Sequence, residues 1–348
     1  MSRKMTIQTK PAVQAGAGTH PPPVAKRRFS TQARLATALA GLLAAGTVLS
    51  VFAAGAASAS TAPGGNYATN PAAHGYPGQS NTGVPAGMTL KTVPSQVSSG
   101  PGWHFDPKGV VRVTGNGAVL SGLYIPYSVD ITANNVTVKD VQVVSTGASS
   151  FGIVLRHTND VTIENDTISG TDTGSGRLMV GVKDVYGDST GEAVLNNNIY
   201  DTATGVQMEQ GTISGNYIHS MGYLAGDHVN GITSNGGTTT GTLTIQHNTI
   251  LNQLNQTDAI GLFADFGVQA NRIITGNLIA GGGYPFYGGL KTGQPTPYNI
   301  QFTGNRISTQ LFPHGGYWGP VAAFATTGQG NTWSGNVWDS TGQAIPAP

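Results

Sequence analysis

The sequence predicts an all-β chain wound as a right-handed, single-stranded parallel β-helix of about seven or more rungs. Three observations predict it. The 348 residues include 51 glycines, only 9% charged residues and no cysteine, a profile of short strands and tight turns. An Asn-centred unit and a Gly-led unit alternate along the chain. Their period is 24–30 residues, with no 3.6-residue helical pattern between them.

Residues 1–59 precede all of this and read as a signal peptide. They hold seven of the 17 Lys and Arg and no acid, followed by an apolar Ala/Leu/Gly run and Ala57-Ser58-Ala59. A basic leader, an apolar stretch and a small-x-small site direct secretion. The chain is therefore expected to be extracellular, free of the membrane after cleavage, and monomeric. Removing the leader leaves 17 − 7 = 10 basic residues against 16 acids, a net charge of −6. Such a balance disfavours a nucleic-acid partner. Without cysteine the fold needs a large packed core, for which about 289 residues suffice. Residues 60–99 are rich in Pro and Gly and read as a linker and N-terminal cover segment, ahead of a β-helix domain over 100–348.

The Asn unit is aliphatic-x-x-Asn-x-aliphatic: TIENDTI, VLNNNIY, TISGNYI, TIQHNTI, IITGNLI, QFTGNRI and TWSGNVW. Aligned on its polar residue, it places Asp166, Asn198, Asn216, Asn248, Asn277, Asn305 and Asn336 in one column. Asn tolerates left-handed backbone angles, and stacked carboxamides can bond from rung to rung. The Gly unit gives a second column, Gly122, Gly152, Gly181, Gly205, Gly231, Gly261 and Gly289, each followed by Leu, Ile or Val. Two strands per turn, stacked at about 4.8 Å, follow. A propeller would need repeats of about 40 residues.

If the residue after each glycine points inward, the next points outward. This puts Tyr124, Val154, Lys183, Gln207, Thr233, Phe263 and Lys291 on one outer flank, with Arg156, Glu209, Asn235 and Asp265 two residues further on. Asp227, His228 and Asn230 sit in YLAGDHVNGI ahead of Gly231, and Asp258 is expected at the His228 position of the next rung. A carboxylate beside an imidazole suits general acid–base work, whereas Asp, Asn and Gly also populate ordinary turns. Glu209 or Asp258 with Asp265 forms the expected hydrolytic pair; the two rungs between Glu209 and Asp265 put them at the upper edge of the separation an inverting glycosidase uses. The expected catalytic set is thus Asp265, Asp258, Glu209, His228 and Asp227. Arg156, Lys183, Gln207, Asn230, Lys291, Tyr284, Tyr287 and Trp318 form the expected binding set, since aromatic faces stack on sugar rings. No residues have metal-ligand spacing; no cofactor is called for, and calcium is left open.

With HVNG (228–231), QTDAIGLFADFG (256–267) and GGGYPFYG (281–288) in place, the chain from about Gly100 onward resembles the pectin-lyase-like superfamily, and within it secreted actinobacterial β-helix proteins. That resemblance implies cleavage of an extracellular polysaccharide, by hydrolysis or lyase chemistry. The net charge of −6 favours hydrolysis over attack on anionic uronates. The alternative is a non-catalytic glycan- or cell-wall-binding surface protein.

Overall fold

The computed structural model describes residues 63–145, 150–237 and 241–348. The leader read over 1–59 lies outside the described residues, as do 60–62. The chain is an all-β solenoid of about nine turns built on three sheets. Each turn passes through the three in the same order. In the fourth turn, for example, Leu178–Asp184 lies in sheet II, Ala193–Leu195 in sheet III and Asn198–Tyr200 in sheet I. Turn-to-turn pairing is parallel and in register, as in Ile163 with Val194 and Ile168 with Ile199. The sequence suggested two strands per turn. The Asn unit accounts for the difference, because its two aliphatic positions belong to separate strands, Ile163 in sheet III and Ile168 in sheet I.

The Asn sits at the corner between those strands. The stack runs Asp166, Asn197, Asn216, Asn248, Asn277, Asn305, Asn336, so Asn197 takes the place the sequence alignment gave to Asn198. Each Asn Oδ1 accepts the backbone N–H of the preceding member. Asn248 Oδ1, for instance, lies 2.9 Å from Asn216 N. Each Nδ2 donates to a carbonyl one turn back, as Asn248 Nδ2 does to Ile213 O at 2.9 Å. The left-handed corner also falls one residue earlier than expected, on Asn165, Asn196, Gly215, His247, Gly276, Gly304 and Gly335. The ladder residue follows with its carboxamide turned inside, fully buried. A corner of unpaired backbone groups would be costly in an apolar core; the side chain supplies the missing partners.

Three columns of aliphatic side chains fill the interior. They include Ile153, Val182, Val206 and Ile232 from sheet II; Val194, Ile213 and Ile245 from sheet III; and Ile199, Ile218 and Ile250 from sheet I, all essentially inaccessible to solvent. An antiparallel meander, Ser99–Gly100, Trp103–Asp106 and Val110–Val113, begins sheet II. At the other end Trp333 stacks on Phe302 at 4.7 Å and donates to Ile345 O. Both devices shield edges that would otherwise pair with other chains.

Residues 63–90 lie lengthwise outside the solenoid, from its last turn back to its first. Gly65 N–H bonds Asp339 O, the Tyr67 ring lies 4.1 Å from the Arg306 guanidinium, and Tyr76 stacks on His247. Further on, Gly83 N–H bonds Asn196 O and Lys91 N–H bonds Gly122 O. Lys91–Thr92 is itself the first strand of sheet I, so the solenoid begins before residue 100. This segment follows sheet I and its corner with sheet III, away from the outer face of sheet II.

Asp166 is the exception in the ladder. Its Oδ1 accepts Val141 N–H at 2.6 Å, while the buried Oδ2 has no partner. Burial pushes its pKa well above the ordinary carboxyl value. A raised folded-state pKa gives stability below the unfolded value near 3.9 that is lost as pH climbs toward the folded one. Asp166→Asn is expected to place an Nδ2 donor near Val138 O, as its neighbours do. We predict a gain of about 2 kcal/mol at neutral pH, vanishing below about pH 4, read from denaturant melts of both proteins across pH. A loss of stability at neutral pH would contradict it.

Candidate functional site

The outer face of sheet II is creased along its length, and a column of small residues makes the crease. Ladder pairing skips one residue in each turn, Gly152, Gly181, Gly205 and Gly231, then Ala259 and Pro285. Phe151, Val180, Thr204, Asn230, Asp258 and Tyr284 are in register before it, and Ile153, Val182, Val206, Ile232, Ile260 and Phe286 after it. A Cβ on Gly205 would lie 2.5 Å from Gly231 O and 2.7 Å from Ile218 Cγ2; Gly152, Gly181 and Gly231 are as crowded. The strands thus bow toward sheet I where only glycine fits. Side chains on either side of the bow converge outside it.

This register revises the glycine column. Gly152, Gly181, Gly205 and Gly231 stack as read from the sequence, but the next turn puts Ala259 there, with Gly261 opposite Thr233. Gly122 precedes a sheet I strand, and Gly289 lies beyond the sheet II strand. Phe263 and Lys291 consequently leave the outward column, and Leu290 is exposed rather than inward. Asp258 stands opposite Asn230, not His228.

The resulting groove holds a cavity of 390 Å³ with Thr204 and Asn230 on one side of the crease and Gln207 and Thr233 on the other. His228 and Thr257 border one end; Phe263, Asn235 and Asp265 border the opposite one. Asp258 lies beneath. Its carboxyl points along the strand, so that a Cβ on Gly261 would meet Oδ2 at 2.4 Å and the Phe263 ring at 2.7 Å. It is fully buried and both oxygens lack a partner, as does the buried Oδ1 of Asn230 one turn away. Burial alone drives the Asp258 pKa well above the ordinary carboxyl range, in the direction that favours the protonated acid. A second buried acid, Glu192, is pushed up to about 7 by burial, but it is bonded to Thr158 Oγ1 and Val161 N–H.

The remaining sequence-selected residues divide into three groups. Asp227 and Glu209 are tied into the scaffold. Asp227 forms a two-point ion pair with Arg177, Nε to Oδ2 at 2.6 Å and Nη2 to Oδ1 at 2.5 Å, and accepts Leu224 N–H. Glu209 was expected on the open flank. Instead it is buried, accepting Ser234 Oγ and the Asn235 and Gly236 amides, with Arg272 Nη2 at 3.6 Å. Burial raises its pKa, against these bonds. Its carboxylate shapes the loop after Ser234 and does not face the groove with a free oxygen.

At the rim, Asp265 and Lys291 are exposed and form an ion pair at 3.7 Å; His228 is exposed at the groove's other edge. Lys183 donates to Gln207 Oε1 and lies over the Phe151 ring at 5.4 Å. Burial lowers its pKa. Tyr284 and Tyr287 continue the outer columns, Tyr287 packing 5.3 Å from Phe263.

Arg156 and Trp318 do not line this groove, although Arg156 also bonds the Tyr186 side chain. Arg156 pairs with Asp130 at 2.8 Å in earlier turns. Trp318, 68% exposed, stands edge-on to Tyr317 and bonds Gly283 O through its N–H. Among the described residues no group of three His, Cys, Asp or Glu is placed to hold a metal ion. No protein-family model matches the chain, and no curated protein does.

Gly205→Val tests the crease. The added side chain has to displace the Gly231 carbonyl or Ile218, and overpacking of this kind costs about 1–3 kcal/mol. A thermal melt unchanged from wild type would show that the glycine column does not shape the sheet.

Proposed function

We propose that the protein is a secreted, pectin-lyase-like β-helix that binds an extended polysaccharide along the sheet II groove and hydrolyses its glycosidic bonds. The observation that carries the reading is the buried, unpartnered Asp258 carboxyl beside a groove lined with hydroxyl and carboxamide groups. A polymer running parallel to the solenoid axis meets polar side chains in matching register on two successive turns, Thr204 and Gln207, then Asn230 and Thr233. Thr204, Gln207, Asn230 and Thr233 suit the alternating donors and acceptors of sugar hydroxyls. Asp258 serves as general acid, protonating the leaving oxygen; Asp265, exposed at the rim, is the candidate base for water. Proton delivery requires the Phe263 ring to swing off the carboxyl, which makes Phe263 the gate to the acid. Asp227 and Glu209, with their oxygens engaged, are positioning residues here.

A non-catalytic glycan-binding role is the second reading, favoured by the Phe263 ring packed over Asp258. The two readings separate on one experiment. Mature protein is incubated with a polysaccharide panel, and new reducing ends, unsaturated products and bound protein are measured. Hydrolysis predicts reducing ends without unsaturated products. Asp258→Asn and Asp265→Asn should each reduce turnover at least 100-fold with the fold intact, because Asn is isosteric with Asp. Binding with no product supports the second reading, and full activity in both variants removes these acids from the mechanism.

A further inference from the structure

Beside the groove lies a second cavity of 390 Å³, sharing Gln207 and Asn235 with the first. Two aromatic side chains line it, Tyr186 and Phe266, and they are among the most exposed in the described chain at 56% and 76%. Large apolar rings left this open at the mouth of a polar cavity point to a ligand. We propose that the cavity is a subsite for one neutral pyranose ring, held between Tyr186 and Phe266; this rests on the glycan-binding reading above and narrows its substrate class.

The clamp is pre-organised on the Tyr186 side. The back of its ring is stacked on His157 at 4.1 Å and 5°, and His157 Nδ1 is held 2.6 Å from Asp188 Oδ2. A braced ring gives up little freedom when a sugar stacks on its remaining face. Phe266 is fixed at the backbone, where its N–H bonds Asn235 O. The floor is glycine: Gly187, Gly236 and Gly237. Gly187 is sealed from below by Glu209, whose Cγ a Cβ there would meet at 2.9 Å. The same Glu209 carboxylate ties down the Asn235 and Gly236 amides, which gives this buried acid a place in the site as a positioning residue.

Charge selects the ligand. The lining carries two carboxyl groups, Asp184 and Glu209, and the cations that touch it are already engaged: Arg156 with Asp130 and the Tyr186 hydroxyl, Lys183 with Gln207, Arg272 with Glu209. A uronate would have to compete for those cations, whereas a neutral ring can take Asn235 and Gln207 amide hydrogens on its hydroxyls. Because the cavity adjoins the crease, a chain lying along the groove would present one ring to the clamp.

The test is calorimetric binding of neutral hexo-oligosaccharides (β-1,4-glucan, β-1,4-mannan and α-1,4-glucan fragments) and of oligogalacturonate. Wild type, Asp258→Asn, a Tyr186→Ala/Phe266→Ala double variant and a Tyr186→Phe control are compared, with thermal melts alongside. The expected result is neutral-glycan binding by wild type, Asp258→Asn and Tyr186→Phe, with at least a tenfold loss in the double variant and an unchanged melt. Equal affinity in the double variant would overturn the subsite while leaving the groove reading in place. Binding of oligogalacturonate alone would overturn the neutral class, and no binding to wild type would overturn both proposals.

Discussion

The side chain of one asparagine per turn bonds the corners of this solenoid together. Each carboxamide accepts the amide of the ladder residue before it and donates one turn back. The corner's backbone groups are therefore satisfied without water, and successive turns cannot slip without breaking several buried bonds. Fixing one corner of each turn also helps fix the register of the three strands that hang from it. In-register stacking is what brings Thr204, Asn230 and Asp258, distant in sequence, into one line on sheet II.

The groove follows from that register and from the absence of side chains. Where four glycines stack, the sheet bows inward, and flanking polar residues gather over the bow. Asn230 Oδ1 and both Asp258 oxygens are buried without partners, whereas the comparably buried Glu209 accepts three hydrogen bonds and Asp227 pairs with Arg177. Buried polar groups left unsatisfied are costly. These three sit on adjacent turns at one concavity, while others, such as Asp166 Oδ2, Thr202 Oγ1 and Arg272 Nη1, lie elsewhere. The segment 63–90 runs along a different sheet, leaving this face to other partners.

The fold class was legible because its determinants are local. A corner needs a left-handed residue followed by Asn, and both are written within three positions of one another. The register was legible only where local patterns were unambiguous. Gly261 resembled its predecessors because it leads an aliphatic residue, yet the crease needs only smallness, and Ala259 supplies it. Gly122 is a glycine for another reason, a left-handed turn ahead of sheet I. The same logic explains Asn197. Three consecutive asparagines at 196–198 all fit a polar corner, and only the stacked hydrogen bonds distinguish the middle one.

Site residues were less legible because their roles depend on remote partners. Asp227 looks catalytic in YLAGDHVNGI until Arg177, fifty positions earlier, closes on it. Glu209 looks exposed by strand alternation until Ser234 and the following amides fold around it. Tyr186 and Phe266 carry no motif; only the backbone path brings them to one cavity. Asp258 was visible as an ionisable residue, but its raised pKa arises from burial beside Phe263, which no spacing encodes.

The ladder's role is tested most directly by equilibrium denaturation of Asn248→Ala, at the middle of the stack. That substitution strands the amide of Asn216 and the Ile213 carbonyl inside the core, and the account predicts a loss of roughly 3 kcal/mol or more. A change within about 0.5 kcal/mol, the range of an ordinary surface substitution, would contradict it.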